Sequence, residues 1–537
     1  MLIVPVSNKS YAKAVRIIVP PNQIIKPVTN KATKNRSRLL ISVYFIISKN
    51  TKKSQIIDII NRHSPKIYGD IMLENTASFT TTELRAILDK SEFHNLNESK
   101  LFTGVSIDTR LVKPGNAFVS LKGENVDSHT LIDSALEAGA GICFVEKDSI
   151  KELNISIGNR PIIVSDNNIE VLGELAAFHR LKFDIPIVAI TGSNGKTTTK
   201  EMIADVLATK FNVLRTYKNF NNMLGVPLML LSLNNSYDIA VLELGTNQSG
   251  EIYHLGEIVR PTHALVTNIG REHLEFLLDL DGVELEETYV FARVRSDGFA
   301  FVNFDDERLK HYGHVLSKFM TFGTHENAEL RASIILDNDM KPILDFDHDD
   351  NKFSVNMQTI GLGSAYNAIG ATAVGIHFGI ETAFIKQALE NFTAPLYHGY
   401  GRMAIETHSD IKIINDCYNA NPDSMIIALS TLAKFSGSGK KVAVLGDMRE
   451  LGEWSDQEHK DMLKLASESA DLVYLTGDEF AKAFSELSQK YSNVYHSNKS
   501  EIAPNLRDAL KAGDIVLFKA SRGITLETVI KDLKNII

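Results

Sequence analysis

Cysteine is scarce in this chain of 537 residues. The only two, Cys143 and Cys417, are far apart and sit in apolar or mixed contexts, so neither a disulfide framework nor a metal knuckle is present. A reducing cytoplasm fits that usage. Surplus positive charge is also missing: 57 Lys and Arg against 66 Asp and Glu leave a net charge of −9, which argues against general polyanion binding and against nucleic acid as a partner. No run approaches the roughly 18 to 20 apolar residues that span a bilayer. The longest candidate, 39–48 (LLISVYFIIS), is too short for stable membrane insertion. With only 14 prolines and an apolar fraction of 44%, disordered and collagen-like classes are excluded as well, and a globular α/β enzyme is the expectation.

The length exceeds what one hydrophobic core organises and predicts about three domains. Residues 1–75 form a basic extension of unknown role. A targeting peptide would look similar, as would upstream sequence translated from a wrong start, but a dispensable extension is the plainer reading. Beyond it, short β-rich runs alternate with amphipathic helical stretches, the pattern of parallel sheets with crossover helices. Residues 76–183 read as a small α/β unit with a helix starting near Thr130. Residues 184–394 open with the strand IPIVAI (185–190), which runs into Gly192 and a helix beginning at Lys196. Residues 395–537 carry the strand candidates IKIIND, KKVAVLGD and DIVLFKA, each followed by turn residues and a helical run, as in a Rossmann-like domain. The acidic run 337–350 reads as a solvated loop or hairpin before a metal site.

The strongest local signal is TGSNGKTT at 191–198. Gly192 and Gly195 let the amides of Ser193, Asn194 and their neighbours approach an anion, and Thr198 continues the helix start. Lys196 would reach the outer phosphates of a nucleotide and Thr197 would offer its hydroxyl to magnesium. Only two residues separate the glycines, where the usual phosphate loop has four. Glu243 closes the next apolar run, where open α/β sheets build their sites; an acid so embedded needs a partner, and magnesium is a plausible one. His273 follows the strand ending at Asn268. Residue chemistry alone makes it a structural or hydrogen-bonding histidine, since magnesium prefers oxygen.

TGSNGKTT, KNFNNMLGVPLMLL, LELGTNQSGEI, TNIGREHLE, DCYNANPDSM and VLGDMRELG occur in the order found in Mur ligases, and from about Thr76 onward the chain resembles that family. The texts at 416–424 and 445–452 resemble the branch that adds D-alanyl-D-alanine to UDP-N-acetylmuramoyl-tripeptide. The resemblance implies three domains: an N-terminal uridine-nucleotide domain, a central ATP-binding domain with a mainly parallel sheet, and a C-terminal Rossmann-like ligase domain. It implies ATP and magnesium as cofactors and a cytoplasmic, monomeric enzyme of peptidoglycan precursor synthesis. Ser106, Asp108, Arg110 and Lys122, with Gly123 and His129, match the uridine-binding text, while Thr109 and Ser128 depart from it. Lys196, Thr197, Glu243 and His273 match ATP and magnesium positions, and Asn221 and Asn222 a segment near the substrate. Asn367 matches one of two asparagines near adenine, the other being Ser364 here. Arg402 and Asp416 match a pair that meets ATP after domain closure. Tyr418, Asn419, Asn421 and Ser424 belong to the substrate-facing text of the third domain.

One departure stands out. Many family members carry a carbamylated lysine fourteen residues after the metal-binding histidine, and this chain has Glu287 there, beside Glu286. Glutamate supplies the same charge and a hard oxygen, with a shorter reach that calls for a shifted backbone or an intervening water. The alternative is that both acids only solvate a helix face. The implied chemistry converts a carboxylate into an acyl phosphate that an amine then attacks. Rival readings are another amino-acid ligase of the same chemistry, a folylpolyglutamate-type enzyme among them, or a degenerate nucleotide-binding regulatory homologue.

Overall fold

The structure, a computed structural model, describes residues 75–537 except 124–125, 315, 349–350 and 397–398, together with four short strands in the first 46 residues. The chain divides into two units, Met1–Met72 and Leu73–Ile537. In the first, Leu2–Val4 pairs antiparallel with Val15–Ile17, and Ile25–Val28 with Val43–Ile46.

Three large sheets build the second unit, as the α/β expectation requires, beside a two-stranded antiparallel pair, Ser78–Thr80 with Leu101–Thr103. The first comprises β1 (Glu92–His94), β2 (Val105–Ser106), β3 (Ala117–Val119), β4 (Ile142–Glu146) and β5 (Ile162–Ser165), in the order β1-β5-β4-β3-β2 and parallel except at β1. The helix expected near Thr130 begins as a 3-10 turn, Ser128–Leu131, and becomes α-helical at Ile132–Glu137.

The central sheet has nine strands: β6 (Ile187–Thr191), β7 (Val213–Arg215), β8 (Ile239–Glu243), β9 (His263–Val266), β10 (Phe299–Asn303), β11 (Phe319–Gly323), β12 (Leu330–Leu336), β13 (Pro342–His348) and β14 (Asn351–Asn356). Their order is β7-β8-β6-β9-β10-β11-β12-β13-β14, with only the last two pairings antiparallel. The described part of the acidic run, 337–348, supplies the turn after β12 and all of β13, which is a hairpin strand.

Alternation along β6 explains why this strand lies at the centre. Ile187 and Ala189 pack into one core with the helices Asn168–Arg180, Gly225–Leu231, Glu251–Val259 and Leu280–Arg293. Val188 and Ile190 pack into a second core with Lys196–Leu207, Leu362–His377 and Thr382–Asn391. Successive strand side chains point to opposite faces, so an unbroken apolar run is what a strand covered by helices on both sides needs.

The third sheet comprises β15 (Ala404–His408), β16 (Ile411–Asp416), β17 (Lys441–Gly446), β18 (Leu472–Thr476), β19 (Val494–His496) and β20 (Ile515–Lys519), in the order β15-β16-β20-β17-β18-β19 and parallel except at β15. Its three anticipated strands are all present. One of its cores also takes in Leu274, Leu277, Val283 and Ile360 from the central region, so the two sheets' domains share apolar packing. The carboxyl ends of β6, β8 and β9 thereby face those of β16 and β20 across one cavity. No helix among the described residues is long and apolar enough to cross a membrane.

Beside β9, His263 Nε2 lies 3.0 Å from His377 Nε2 within an aromatic cluster of Phe299, Phe301 and Phe378, while Thr262 Oγ1 lies 2.8 Å from His263 Nδ1. Burial, then the neighbouring His377, pushes the His263 pKa down to about 4, with Asp297 opposing only weakly. As pH falls below the ordinary histidine value, the unfolded chain binds a proton that the folded chain refuses, so stability declines until about pH 4. Urea unfolding at pH 7.5 and pH 5 should therefore show a larger loss for the wild type than for His263→Phe, by up to about 1.4 kcal/mol per pH unit. Parallel losses in the two proteins would rule this histidine out as a source of acid lability.

Candidate active site

The phosphate loop is a consequence of sheet register. Ile190 pairs with Glu243 on one side and Leu265 on the other, so the chain leaves the sheet into Gly192 with the Glu243 carboxylate alongside. Gly192 and Gly195 have φ of +114° and +85°. A Cβ on Gly192 would lie 2.7 Å from the Thr267 amide nitrogen, and one on Gly195 would collide with Asn367 Oδ1. Both positions therefore require glycine. The helix Lys196–Leu207 then starts with its first amides free of helical partners and its positive end toward the cavity, the arrangement that receives phosphate.

Neighbouring segments hold the loop rigid. Asn268 accepts from the amides of Ser193 (2.8 Å) and Asn194 (3.0 Å) and donates from Nδ2 to Asn194 O (2.8 Å). Ser193 Oγ accepts from Gly270 N at 2.7 Å. The Gly192 amide donates to Glu287 Oε2 at 2.7 Å, and Thr191 Oγ1 donates to the Glu287 carbonyl at 2.8 Å.

Lys196 sits among acids. Its Nζ lies 3.4 Å from Glu272 Oε2 and 3.6 Å from Glu287 Oε1, and it donates to Gly192 O. Burial opposes its charge, yet Glu272, Glu287 and Glu243 together hold its pKa above the ordinary value. Burial pushes the Glu272 carboxyl up to about 8 even with Lys196 beside it. Burial also opposes a charged His273, but the Glu450 carboxylate, 2.5 Å from Nδ1, and Glu272 raise its pKa.

Glu243 is only 2% exposed, and its Oε1 accepts from Thr197 Oγ1 (3.1 Å) and Asn221 Nδ2 (2.8 Å). Its Oε2, like Glu272 Oε1 and Glu287 Oε1, is buried without a hydrogen-bond partner. Unpartnered carboxylate oxygens beside a phosphate loop are hard donors of the kind magnesium takes. Among the described residues no three His, Cys, Asp or Glu side chains form a ready metal cage.

The cavity, about 660 Å³, brings together most of the residues anticipated from sequence. Ser193 to Thr198, Asn221, Asn222, Glu243, His273 and Asn367 line it from the central side, and Arg402, Asp416, Tyr418, Asn419, Asn421 and Ser424 from the C-terminal side. Arg402 lies 3.8 Å over the Tyr418 ring with Nε unpartnered. Asp416 accepts from Lys519 Nζ (2.6 Å) and Met403 N (3.0 Å). Asn222 Oδ1 accepts from Gly225 N at 2.9 Å at the start of the next helix, and Ser364 also lines the cavity, hydrogen-bonded to Thr359.

Glu287 lies behind the loop, off the cavity wall, and is fully buried, as is Glu286 at 1% exposure. The reading in which both acids only solvate a helix face is thus corrected: Glu286 accepts from Gly250 N (2.6 Å) and Ile252 N (2.7 Å) at a helix start, and Glu287 braces Gly192. Ser106, Asp108, Arg110 and Lys122 are not brought to the cavity. Ser106 Oγ donates to Asp108 O (2.9 Å), Arg110 pairs with Asp108 (2.5 Å), and Lys122 pairs with Glu152 (2.9 Å).

The sequence reading missed Asn268, Glu272, Lys519 and Arg271. The first, second and fourth lie within the TNIGREHLE text, where nothing but nearness to His273 marked them, and Lys519 lies in a strand candidate. Arg271 bonds Asp423 through its amide (2.6 Å), Nε (3.1 Å) and Nη2 (2.6 Å), and Glu458 through Nη1 (2.8 Å). With Asn421 Nδ2 donating to Asn194 Oδ1 (3.0 Å) and Trp454 Nε1 to Leu278 O (3.2 Å), the segment after β9 grips the C-terminal sheet's loops while presenting His273 to the cavity.

Comparison with known proteins agrees with this layout. Three family models match in order: the Mur ligase family catalytic domain at 101–180, the Mur ligase middle domain at 190–375 and the Mur ligase glutamate ligase domain at 401–522. The UDP-N-acetylmuramoyl-tripeptide–D-alanyl-D-alanine ligase of Bacillus subtilis (strain 168) is 32% identical over 444 residues, 81% of this chain and 94% of that protein. The chain belongs to the Mur ligase family. The ligase of the same name from Escherichia coli (strain K12) is 32% identical over 438 residues, covering 80% of this Mur ligase and 93% of that protein. Among solved structures, MurF from Acinetobacter baumannii superposes with a TM-score of 0.77 at 28% identity, covering 86% of this chain and all of that one. MurF from Thermotoga maritima in complex with ADP gives 0.72 at 27%, covering 80% and 97%.

The Arg271 clamp should be energetically coupled. In Arg271→Ala, Asp423→Ala and the double variant, unfolding free energies should be non-additive by about 1–2 kcal/mol, and the ligase rates should be non-additive as well. Strict additivity would mean that the contact carries no coupling between the two domains.

Proposed function

We propose that this Mur ligase joins D-alanyl-D-alanine to UDP-N-acetylmuramoyl-tripeptide at the expense of ATP, in peptidoglycan precursor synthesis. The observation that carries the reading is a single cavity in which Lys196 and its glycine turn face Arg402, Asp416 and the asparagines of the C-terminal loop. It occurs in a chain about one third identical to enzymes of that name over four fifths of its length.

Oxide is a poor leaving group, so the tripeptide carboxylate must first accept the terminal phosphoryl group of ATP and become an acyl phosphate. The loop amides and Lys196 offset the charge on the phosphates and fix their position, which is most of what phosphoryl transfer asks of a protein. Thr197, Glu243 and His273 would hold magnesium, with Glu287 contributing charge or an oxygen through water. When bound, the metal neutralises phosphate charge and orients the transferring group. Arg402 and Asp416 are placed to contact the nucleotide from the C-terminal side. The dipeptide amine then attacks the acyl carbon, loses a proton, and expels phosphate as the amide forms. The clamp between Arg271, Asp423 and Glu458 ties the two domains together, and a closed interface of this kind would keep water from the acyl phosphate. Neither cysteine takes part: both are buried, and burial pushes the Cys143 thiol up to about 12.

Phosphate release should require ATP, the uridine-linked tripeptide and D-alanyl-D-alanine together. Because Glu287 offers no amine to carbamylate, the rate in carbon-dioxide-depleted buffer should be unchanged by added bicarbonate. ATP binding without dipeptide-dependent phosphate release would favour the regulatory-homologue reading instead, and a several-fold rescue by bicarbonate would remove Glu287 from the site.

A further inference from the structure

Fifteen arginines lie within 75–537. Nine meet an Asp or Glu within ion-pair distance, and Arg180 is held by backbone carbonyls. Five remain without a carboxylate among the described residues: Arg260, Arg331, Arg402, Arg449 and Arg522. In a chain of net charge −9 that is a minority, and three of the five sit on the loops at or beside the carboxyl ends of β16, β17 and β20. Arg402 faces the cavity. The other two have no role in the chemistry described above.

Arg449 and Arg522 are neighbours. The Arg449 guanidinium lies against Gly523, where an added Cβ would collide with it, and the Arg522 guanidinium lies over the Tyr400 ring. Both side chains are exposed and neither lines the cavity, but the segments that carry them touch its wall. The Arg449 amide donates to Ser521 Oγ (2.9 Å), and Ser521 Oγ donates to the carbonyl of Ala420 (3.2 Å), a lining residue. Glu450 holds His273, and Lys519, three residues before Arg522, lines the cavity. The surrounding acids, Glu450 and Glu527 among them, feel these charges, but none among the described residues lies within ion-pair distance. Glu450 is engaged by His273, Asp447 accepts from the amides of Glu479 (3.2 Å) and Phe480 (2.9 Å), and Glu527, the nearest to Arg522, makes no ion pair with it.

Planar guanidinium groups read carboxylates through paired hydrogen bonds. Among the reactants, the phosphates are met by the loop and Arg402, and the reacting carboxylate is consumed. Of the anionic groups still without an assigned partner, the one that travels with the attacking amine is the free carboxylate at the far end of the incoming dipeptide. We infer that Arg449 and Arg522 form the subsite that binds this C-terminal carboxylate and so aims the amine at the acyl carbon. The inference rests on the ligase reading above. It makes Arg449 and Arg522 specificity-determining: an amine lacking the carboxylate would forgo the charge-assisted hydrogen bonds that the two exposed guanidinium groups offer.

The test compares D-alanyl-D-alanine with D-alanyl-D-alaninamide as acceptors in the wild type, Arg449→Gln, Arg522→Gln and Arg522→Lys, each checked for an unchanged melting temperature. The wild type should prefer the free acid by about 10- to 100-fold in kcat/KM. Either Gln variant should lose most of that preference by raising KM for the dipeptide, with the KM values for ATP and the uridine-linked tripeptide unmoved and activity on the amide retained. Arg522→Lys should restore part of the preference, which a merely structural arginine would not do. Equal use of acid and amide by the wild type would overturn this subsite while leaving the ligase reading intact. A KM change confined to the tripeptide would also overturn it, assigning the arginines to a carboxylate of the acceptor peptide. Failure of the wild type to ligate the dipeptide at all would overturn both.

Discussion

The site depends on one ammonium ion held among three buried carboxylates beneath a glycine turn. Lys196 meets Glu272 and Glu287 directly and feels Glu243, so one positive charge faces three potential negative ones in a region nearly closed to water. Ions removed from water are costly unless paired and hydrogen-bonded. The fold meets that cost only in part: Gly192, Thr197 and Asn221 satisfy some carboxylate oxygens, and three are left bare. The imbalance favours additional cation beside the phosphate loop.

The same region explains how the two large sheets act together. The segment from Gly270 to Leu278 presents Glu272 and His273 to the cavity and grips Asp423, Glu450 and Glu458 of the C-terminal domain. His273 adopts φ of +49°, unusual for a side chain with a Cβ, and Glu450 opposite has φ of +64°. Both strained residues lie where the domains meet, so the backbone conformation that exposes His273 is tied to docking. Whatever binds between Lys196 and Arg402 therefore acts on a preformed contact between the domains.

Much of this was legible in the sequence because local rules govern it. The run IPIVAI, the glycines at 192 and 195 and the acid at 243 each obey strand alternation, turn sterics or strand-end placement, and all were found where expected. Resemblance to a family supplied His273, Arg402 and Asp416, whose proximity depends on two sheets facing each other and is invisible to periodicity. Contacts between distant segments were not legible. Nothing in the spacing of Arg271, Asp423 and Glu458 announces a clamp, and Lys519 reads as the last residue of an apolar strand until Asp416 is found 2.6 Å from it. Glu287 shows the limit from the other side: the family resemblance suggested a metal ligand fourteen residues after His273, and only the structure shows that the same carboxylate accepts from the Gly192 amide and lies beside Lys196.

The central claim is that Lys196 and its turn hold a triphosphate whose terminal group passes to a bound acid. Positional isotope exchange in ATP labelled at the β,γ-bridging oxygen tests it most directly, because scrambling occurs only if the phosphoryl group leaves and returns. The wild type should scramble label with the uridine-linked tripeptide present and D-alanyl-D-alanine absent, and Lys196→Ala should not. Exchange that ignores the tripeptide, or that survives intact in Lys196→Ala, would contradict the account.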